Sequence, residues 1–79
     1  MDRSLESPRH RALVDVLKSY REAAALSQAE LADRIDEPQS FVSKYESGVR
    51  RLDLIELEQV AHALGVPLSE LVKQFEAAS

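Results

Sequence analysis

Apolar and polar positions alternate along this chain with a helical period almost from end to end. Leu13, Val16, Leu17, Tyr20 and Ala24 recur at spacings of three and four, which predicts a first helix from Arg9 to Ala25 with one core-facing stripe. Leu26 then fills the junction with the next element. Ala29, Leu31, Ala32 and Ile35 predict a second helix over about residues 28–35, with Ser27 as N-cap and Glu30 completing a capping box. Asp36-Glu37-Pro38 ends it, because proline disfavours a helical conformation in the residue before it. Proline is tolerated in the first turn of a new helix, so a third helix is expected over 38–47, stopping at Gly48. A fourth spans Asp53 to Leu64, capped by Asp53 and stopped by Gly65, with Leu54, Leu57, Val60, Ala61 and Leu64 as its buried stripe. Ile55 lies beside that stripe, on the exposed side. Val66-Pro67-Leu68-Ser69 reads as a short extended link. A fifth helix follows to about Glu76, with Leu68, Leu71, Val72 and Phe75 on its apolar face. The expectation is an all-α, compact five-helix bundle over residues 9–76, preceded by an aperiodic arm (1–8) and followed by a frayed end (77–79).

The third helix carries the chemistry. At about 100° per residue, Phe41, Val42 and Tyr45 fall in one sector, and Gln39, Ser40, Ser43, Lys44 and Ser47 fill the other. None of those five is apolar or acidic. Amide, hydroxyl and ammonium groups donate hydrogen bonds to nucleic-acid base edges and phosphates. A merely solvated face would more often hold Asp or Glu.

The run SQAELADRIDEPQSFVSKYESG, residues 27–48, resembles the helix-turn-helix of phage repressor/Cro (XRE-type) DNA-binding domains. Gln28, Leu31-Ala32 and Ile35 carry the likeness in the first of its two helices, and Val42, Tyr45, Glu46 and Ser47-Gly48 in the second. Ala32 fits the point where two helices cross, since a larger side chain would wedge them apart. LDLIELEQVAHALGVPLSEL further resembles the family's fourth and fifth helices, so the likeness covers roughly residues 10–75. The resemblance implies a repressor/Cro-like bundle with residues 38–47 as the recognition helix. It also implies that Arg21 pairs with Glu46, tying the first helix to the end of the recognition helix. The family's turn usually carries glycine at positive φ where this chain has Asp36, a residue that tolerates that conformation better than most. Asp36 and Glu37 would also lie near the DNA backbone, where like charge weakens binding.

Charge at first opposes this reading, because the chain has a net charge of −4 and DNA binders usually leave a basic footprint. The sign is unevenly spread. Residues 1–26 carry net +1, residues 27–51 net −1 and residues 52–79 net −4. Over a Debye length of about 8 Å the local sign matters more than the sum. The acid is concentrated in the third expected to face away from DNA.

Seventy-nine residues, 44% of them apolar, suit one small folded domain. There is no cysteine, hence no disulfide framework and no thiolate metal site. No apolar run approaches the roughly 20 residues of a membrane helix and no secretory leader is present, so a cytoplasmic protein without a membrane partner is expected. His10 and His62 lack companion ligands, and no metal or cofactor is implied. With two glycines and no phosphate loop, no cysteine nucleophile and no serine beside a histidine in a known motif, an enzyme is not expected.

The expected function is a sequence-specific double-stranded DNA-binding transcriptional regulator, a repressor reading the major groove as a homodimer. Gln39, Ser40, Ser43 and Lys44 are the base-reading candidates, with Phe41 at the edge of the apolar sector touching a thymine methyl. Gln28, at the amino end of its helix, together with Ser47, Arg50 and Arg51, are the phosphate candidates. The arm, with Arg3 and then Arg9 and Arg11, is a minor-groove candidate beside its reading as a plain tail. Surplus apolar surface at Ile55, Leu68, Leu71, Val72 and Phe75 predicts a two-fold interface. The competing expectation is a protein-interaction module, an antitoxin or adaptor subunit that keeps the fold, which the acidic last third favours.

Overall fold

The computed structural model describes residues 7–78. Five helices run in order: α1 (Pro8–Ala23), α2 (Gln28–Arg34), α3 (Gln39–Glu46), α4 (Leu54–Ala63) and α5 (Leu68–Ala77). Most of the expected arm, including Arg3, lies outside the described residues. Its last two members belong to α1 instead: Ser7 is the N-cap, accepting a hydrogen bond from the His10 amide at 3.0 Å, and Pro8 opens the first turn. The expected link at 66–69 is likewise shorter, because Pro67 already serves as N-cap of α5.

Two helices start with reciprocal capping boxes. Ser27 and Glu30 close the one on α2, and Asp53 and Glu56 close another on α4. Four helices end in the same way. After α1, the Leu26 amide donates back to the Arg21 carbonyl and Ala25 to Glu22, with Ala25 at φ +59°. After α2, Glu37 donates to Ala32 and Asp36 to Asp33, with Asp36 at φ +57°. Gly48 after α3 and Gly65 after α4 repeat the pattern at φ +86° and +78°. Each is a Schellman closure that satisfies carbonyls left free at a helix end. Only two of the four use the residue that adopts this conformation without a Cβ penalty. The first helix therefore ends two residues before the expected Ala25, and that alanine is the strained one.

The core is assembled from Leu17, Leu31, Ala32, Phe41, Val42, Tyr45, Val60, Ala61, Val66 and Leu71. α3 packs on α2 and α1, and α5 packs on α1 and α4. Along α1 the most buried positions are His10, Val14 and Leu17, so the stripe is centred one residue away from the expected line. Leu13, Val16 and Tyr20 flank it half-buried, and Ala24 is exposed. Leu54, expected in the buried stripe of α4, is 65% exposed. It is the first residue of the helix, and the contact of α4 with the core begins a turn later, around Val60 and Ala61.

Candidate nucleic-acid interface

The sequence divides α3 into two faces, and packing keeps them apart. Val42 and Tyr45 are buried, and Phe41 meets the Tyr45 ring edge-on with centroids 5.8 Å apart. Burial of Tyr45 pushes its phenol above the ordinary value, reinforced by the neighbouring Glu46. On the opposite face Gln39, Ser40, Lys44 and Ser47 are exposed and Ser43 is half-buried. The structure thus brings these five polar candidates onto one outward surface. Phe41 does not join them. It is 7% exposed, with its ring against Tyr45 on one side and the Arg50 guanidinium 4.5 Å from its centroid. Phe41 is a core residue, and the expectation that it touches a thymine methyl is corrected.

Glu46 is the fixed point behind this surface. Its carboxylate is buried, yet it accepts three hydrogen bonds: from Arg21 Nε at 2.7 Å, Arg21 Nη2 at 3.0 Å and Gln28 Nε2 at 2.9 Å. The Arg21 guanidinium gives a further bond to the Leu26 carbonyl at 2.8 Å. Its hydrogen bond to Glu46 raises the arginine's pKa against the opposing effect of burial. A planar guanidinium forked onto a carboxylate also defines direction, so the last turn of α3 is held against α1 at a set angle.

From Glu46 the chain of bonds continues outward. Gln28, having donated to Glu46, accepts from Gln39 Nε2 at 3.2 Å. Each carboxamide carries two N–H donors and one acceptor oxygen. Gln39 therefore retains one N–H and its Oε1, the pair needed for a two-point contact with adenine. Gln28 retains one N–H at the amino end of α2. Its sequence gives no sign that it buttresses Gln39.

The loop after α3 departs furthest from the expectation. Ser47 is exposed, its hydroxyl donating to the Lys44 carbonyl, and Arg51 is exposed. Arg50 is engaged: Nη2 and Nη1 donate to the two Glu56 oxygens at 2.7 and 3.1 Å, and Nη1 also reaches the Arg51 carbonyl. The same Glu56 oxygen that accepts from Nη1 also accepts the Asp53 amide of the α4 capping box. The bond from Arg50, then the Asp53 backbone, lowers the Glu56 pKa, and Glu56 in turn raises that of Arg50. Glu56 did not figure among the sequence candidates. The Asp53-x-x-Glu56 spacing announces its capping role, but nothing local announces its arginine partner.

The five residues expected at a two-fold interface differ in exposure. Leu71 is fully buried in the core and is removed from that set, because α5 turns it inward against α1 and α4. Leu68, Val72 and Phe75 are half-buried, and Arg9 covers the Phe75 ring at 4.2 Å. Ile55 is 62% exposed and, among the described residues, has two large apolar companions in exposure, Val49 and Leu54. Among the described residues no helix is long and apolar enough to cross a membrane, and no three His, Cys, Asp or Glu side chains gather as a metal site.

Comparison with known proteins places this geometry. The family model described as helix-turn-helix matches residues 17–71. Control protein C.MunI of Mycoplasma sp is 37% identical over 59 residues, which span 75% of this chain and 80% of that protein. Among solved structures, an XRE-family like protein from Pseudomonas syringae pv. tomato superposes with a TM-score of 0.82 at 45% identity, covering 87% of this chain and 84% of that one. The clp gene regulator ClgR from C. glutamicum gives a TM-score of 0.81 at 25% identity, covering 92% of this chain and 94% of that one.

Proposed function

The chain belongs to the helix-turn-helix family and is a DNA-binding transcriptional regulator, and we propose that it acts as a homodimeric repressor whose α3 reads the major groove of an operator. The bond chain from Arg21 through Glu46 and Gln28 to Gln39 carries the reading. It fixes a base-reading amide from behind and leaves its adenine-matching groups uncommitted. Ser40, Ser43 and Lys44 complete the base-reading surface, with Lys44 suited to guanine acceptors. Gln28, Ser47 and Arg51 supply phosphate contacts that set register. No metal or cofactor enters this mechanism.

The dimer is centred on Ile55 with Leu54 and Val49, the three large apolar side chains most exposed to solvent among the described residues. A two-fold axis there sets two α3 helices about one DNA turn apart, roughly 34 Å. Doubling the phosphate contacts offsets the acidic net charge. The protein acts in the cytoplasm, where its DNA lies.

A selection from randomised duplexes, followed by titration of the winning site at two salt concentrations, tests the proposal. A two-fold symmetric site with a steep salt slope is the expected result. No enrichment, with weak binding to every duplex and little salt dependence, would instead favour a protein partner docking on the exposed Val49, Leu54 and Ile55 side chains.

A further inference from the structure

Arg50 stands where a phosphate-gripping residue is expected, two positions past Gly48 and next to Arg51. Its surroundings suit a different task. Both terminal nitrogens are bound to Glu56, at 2.7 and 3.1 Å, and the guanidinium carbon lies over the Phe41 ring, 4.5 Å from its centroid. Glu37 and Asp53 add further negative charge around it. An approaching phosphate would meet a cation already neutralised by a bidentate carboxylate, with two more acids close by. Meanwhile Phe41 lies in the first turn of α3, between Ser40 and the core residue Val42. Pro38, the N-cap of that helix, provides no side-chain hydrogen bond to hold the same end.

We propose that Arg50 and Glu56 are positioning residues which clamp the amino-terminal turn of α3 through Phe41, and that Arg50 is not a phosphate contact. α3 is then held at both ends by an arginine–glutamate fork. Arg21 and Glu46 fix its last turn to α1, while Arg50 and Glu56 fix its first turn to the start of α4. Glu56 does so because it is itself immobilised, its carboxylate bound to the Asp53 amide in the capping box. The clamp acts on Gln39 and Ser40, the residues of that same turn, so its loss shows in base discrimination. The inference rests on the DNA-reading function proposed above.

The two roles predict different salt behaviour. Each phosphate neutralised by a protein cation contributes about −0.9 to the slope of log affinity against log salt. The test measures the affinity of the full chain for its selected duplex and for a random duplex across a salt series, with Arg50→Lys and Glu56→Gln as variants. Glutamine at the third helical position still supports a capping box, so α4 keeps its start. Lysine keeps the charge and loses the planar fork.

A clamp predicts that both variants lose about tenfold in preference for the selected site over the random duplex, with the salt slope of Arg50→Lys unchanged. A phosphate contact predicts near-native specificity for Arg50→Lys. For Glu56→Gln, which frees a cation under either role, it predicts that affinity for both duplexes rises together and the preference for the selected site is kept. That pattern would overturn the clamp while leaving the DNA-reading function intact. Circular dichroism of both variants checks folding, and Arg50→Gln serves as a further arm: an unchanged slope supports the clamp and a slope shallower by about 0.9 refutes it. Absence of duplex binding by the unaltered chain would remove the DNA-reading function and the clamp together.

Discussion

Arg21 and Glu46 lie 25 positions apart in sequence and meet through two parallel hydrogen bonds of 2.7 and 3.0 Å. Their side chains are only 11% and 4% exposed. Removing one partner leaves the other charge poorly solvated, and the loss exceeds what the pair adds when intact. Glu46→Ala should therefore destabilise the fold by about 3 kcal/mol, read as a lower urea midpoint at unchanged m-value. A change below about 0.5 kcal/mol would show that the pair behaves as an exposed one.

Gln39 keeps one N–H and one carbonyl oxygen free of intramolecular bonds. Gln39→Ala is expected to relax specificity at one base pair, costing about 1–3 kcal/mol there and little elsewhere. Gln28→Ala should weaken discrimination at the same base pair, because Gln28 holds the Gln39 amide. Unchanged base preference of the Gln39 variant in a repeated selection would remove that residue from the reading surface.

Ile55, Leu54 and Val49 are 62%, 65% and 63% exposed. In the proposed dimer Ile55→Asp places a charge in a desolvated centre and should yield monomers at tens of micromolar, about where the native chain is paired. Equilibrium ultracentrifugation decides it. Native chains that are monomeric at that concentration would end the dimer model.

Ala25 adopts φ +59° without being glycine. The left-handed conformation costs a non-glycine residue about 1–2 kcal/mol, and glycine gives back about 0.5–1 kcal/mol through the freedom of its unfolded chain. Ala25→Gly should thus raise stability by about 0.5–1 kcal/mol with DNA affinity unaltered. A lower thermal midpoint would mean that the alanine methyl group has a packing role.

His10 is buried, and its Nε2 has no hydrogen-bond partner among the described residues. Burial, then the positive charges of Arg51 and Arg11, hold its pKa below the ordinary value of 6.5. As pH falls the unfolded chain takes up this proton first. Stability fully present above the unfolded value is therefore lost as pH falls through the folded value. Urea midpoints at about pH 7.5 and about pH 5.5 should diverge in the native chain and converge in His10→Leu. Equal acid losses in both chains would assign the sensitivity to another group. Glu56, whose pKa is lowered from 4.5, acts at more acidic pH, where its bond to Arg50 is lost.

Much of this protein is legible from local pattern, because its elements are short helices with local signals. The capping box of Ser27 and Glu30, the stops at Gly48 and Gly65, and the partition of α3 into Val42 and Tyr45 against Ser40 and Lys44 depend on residues within one turn of each other. Resemblance to a family extended that reach to the Arg21–Glu46 pair and to the unusual backbone at Asp36. The errors share a cause. Leu54, Leu71 and Phe41 are apolar residues on apolar arcs wider than the contact each helix makes, so periodicity marks them without saying which are covered.

The sequence by itself therefore determined the five helices, most of their ends and the polar face of α3. Only the tertiary structure decided which members of each arc are buried, that Gln28 bonds Gln39, and that Arg50 is held by Glu56 above Phe41. The physical reason is range. Caps, turns and helical stripes are fixed by neighbours within four residues, which the chain order states outright. Burial and side-chain partnership depend on the angles at which separate helices pack, and those angles follow from the core as a whole.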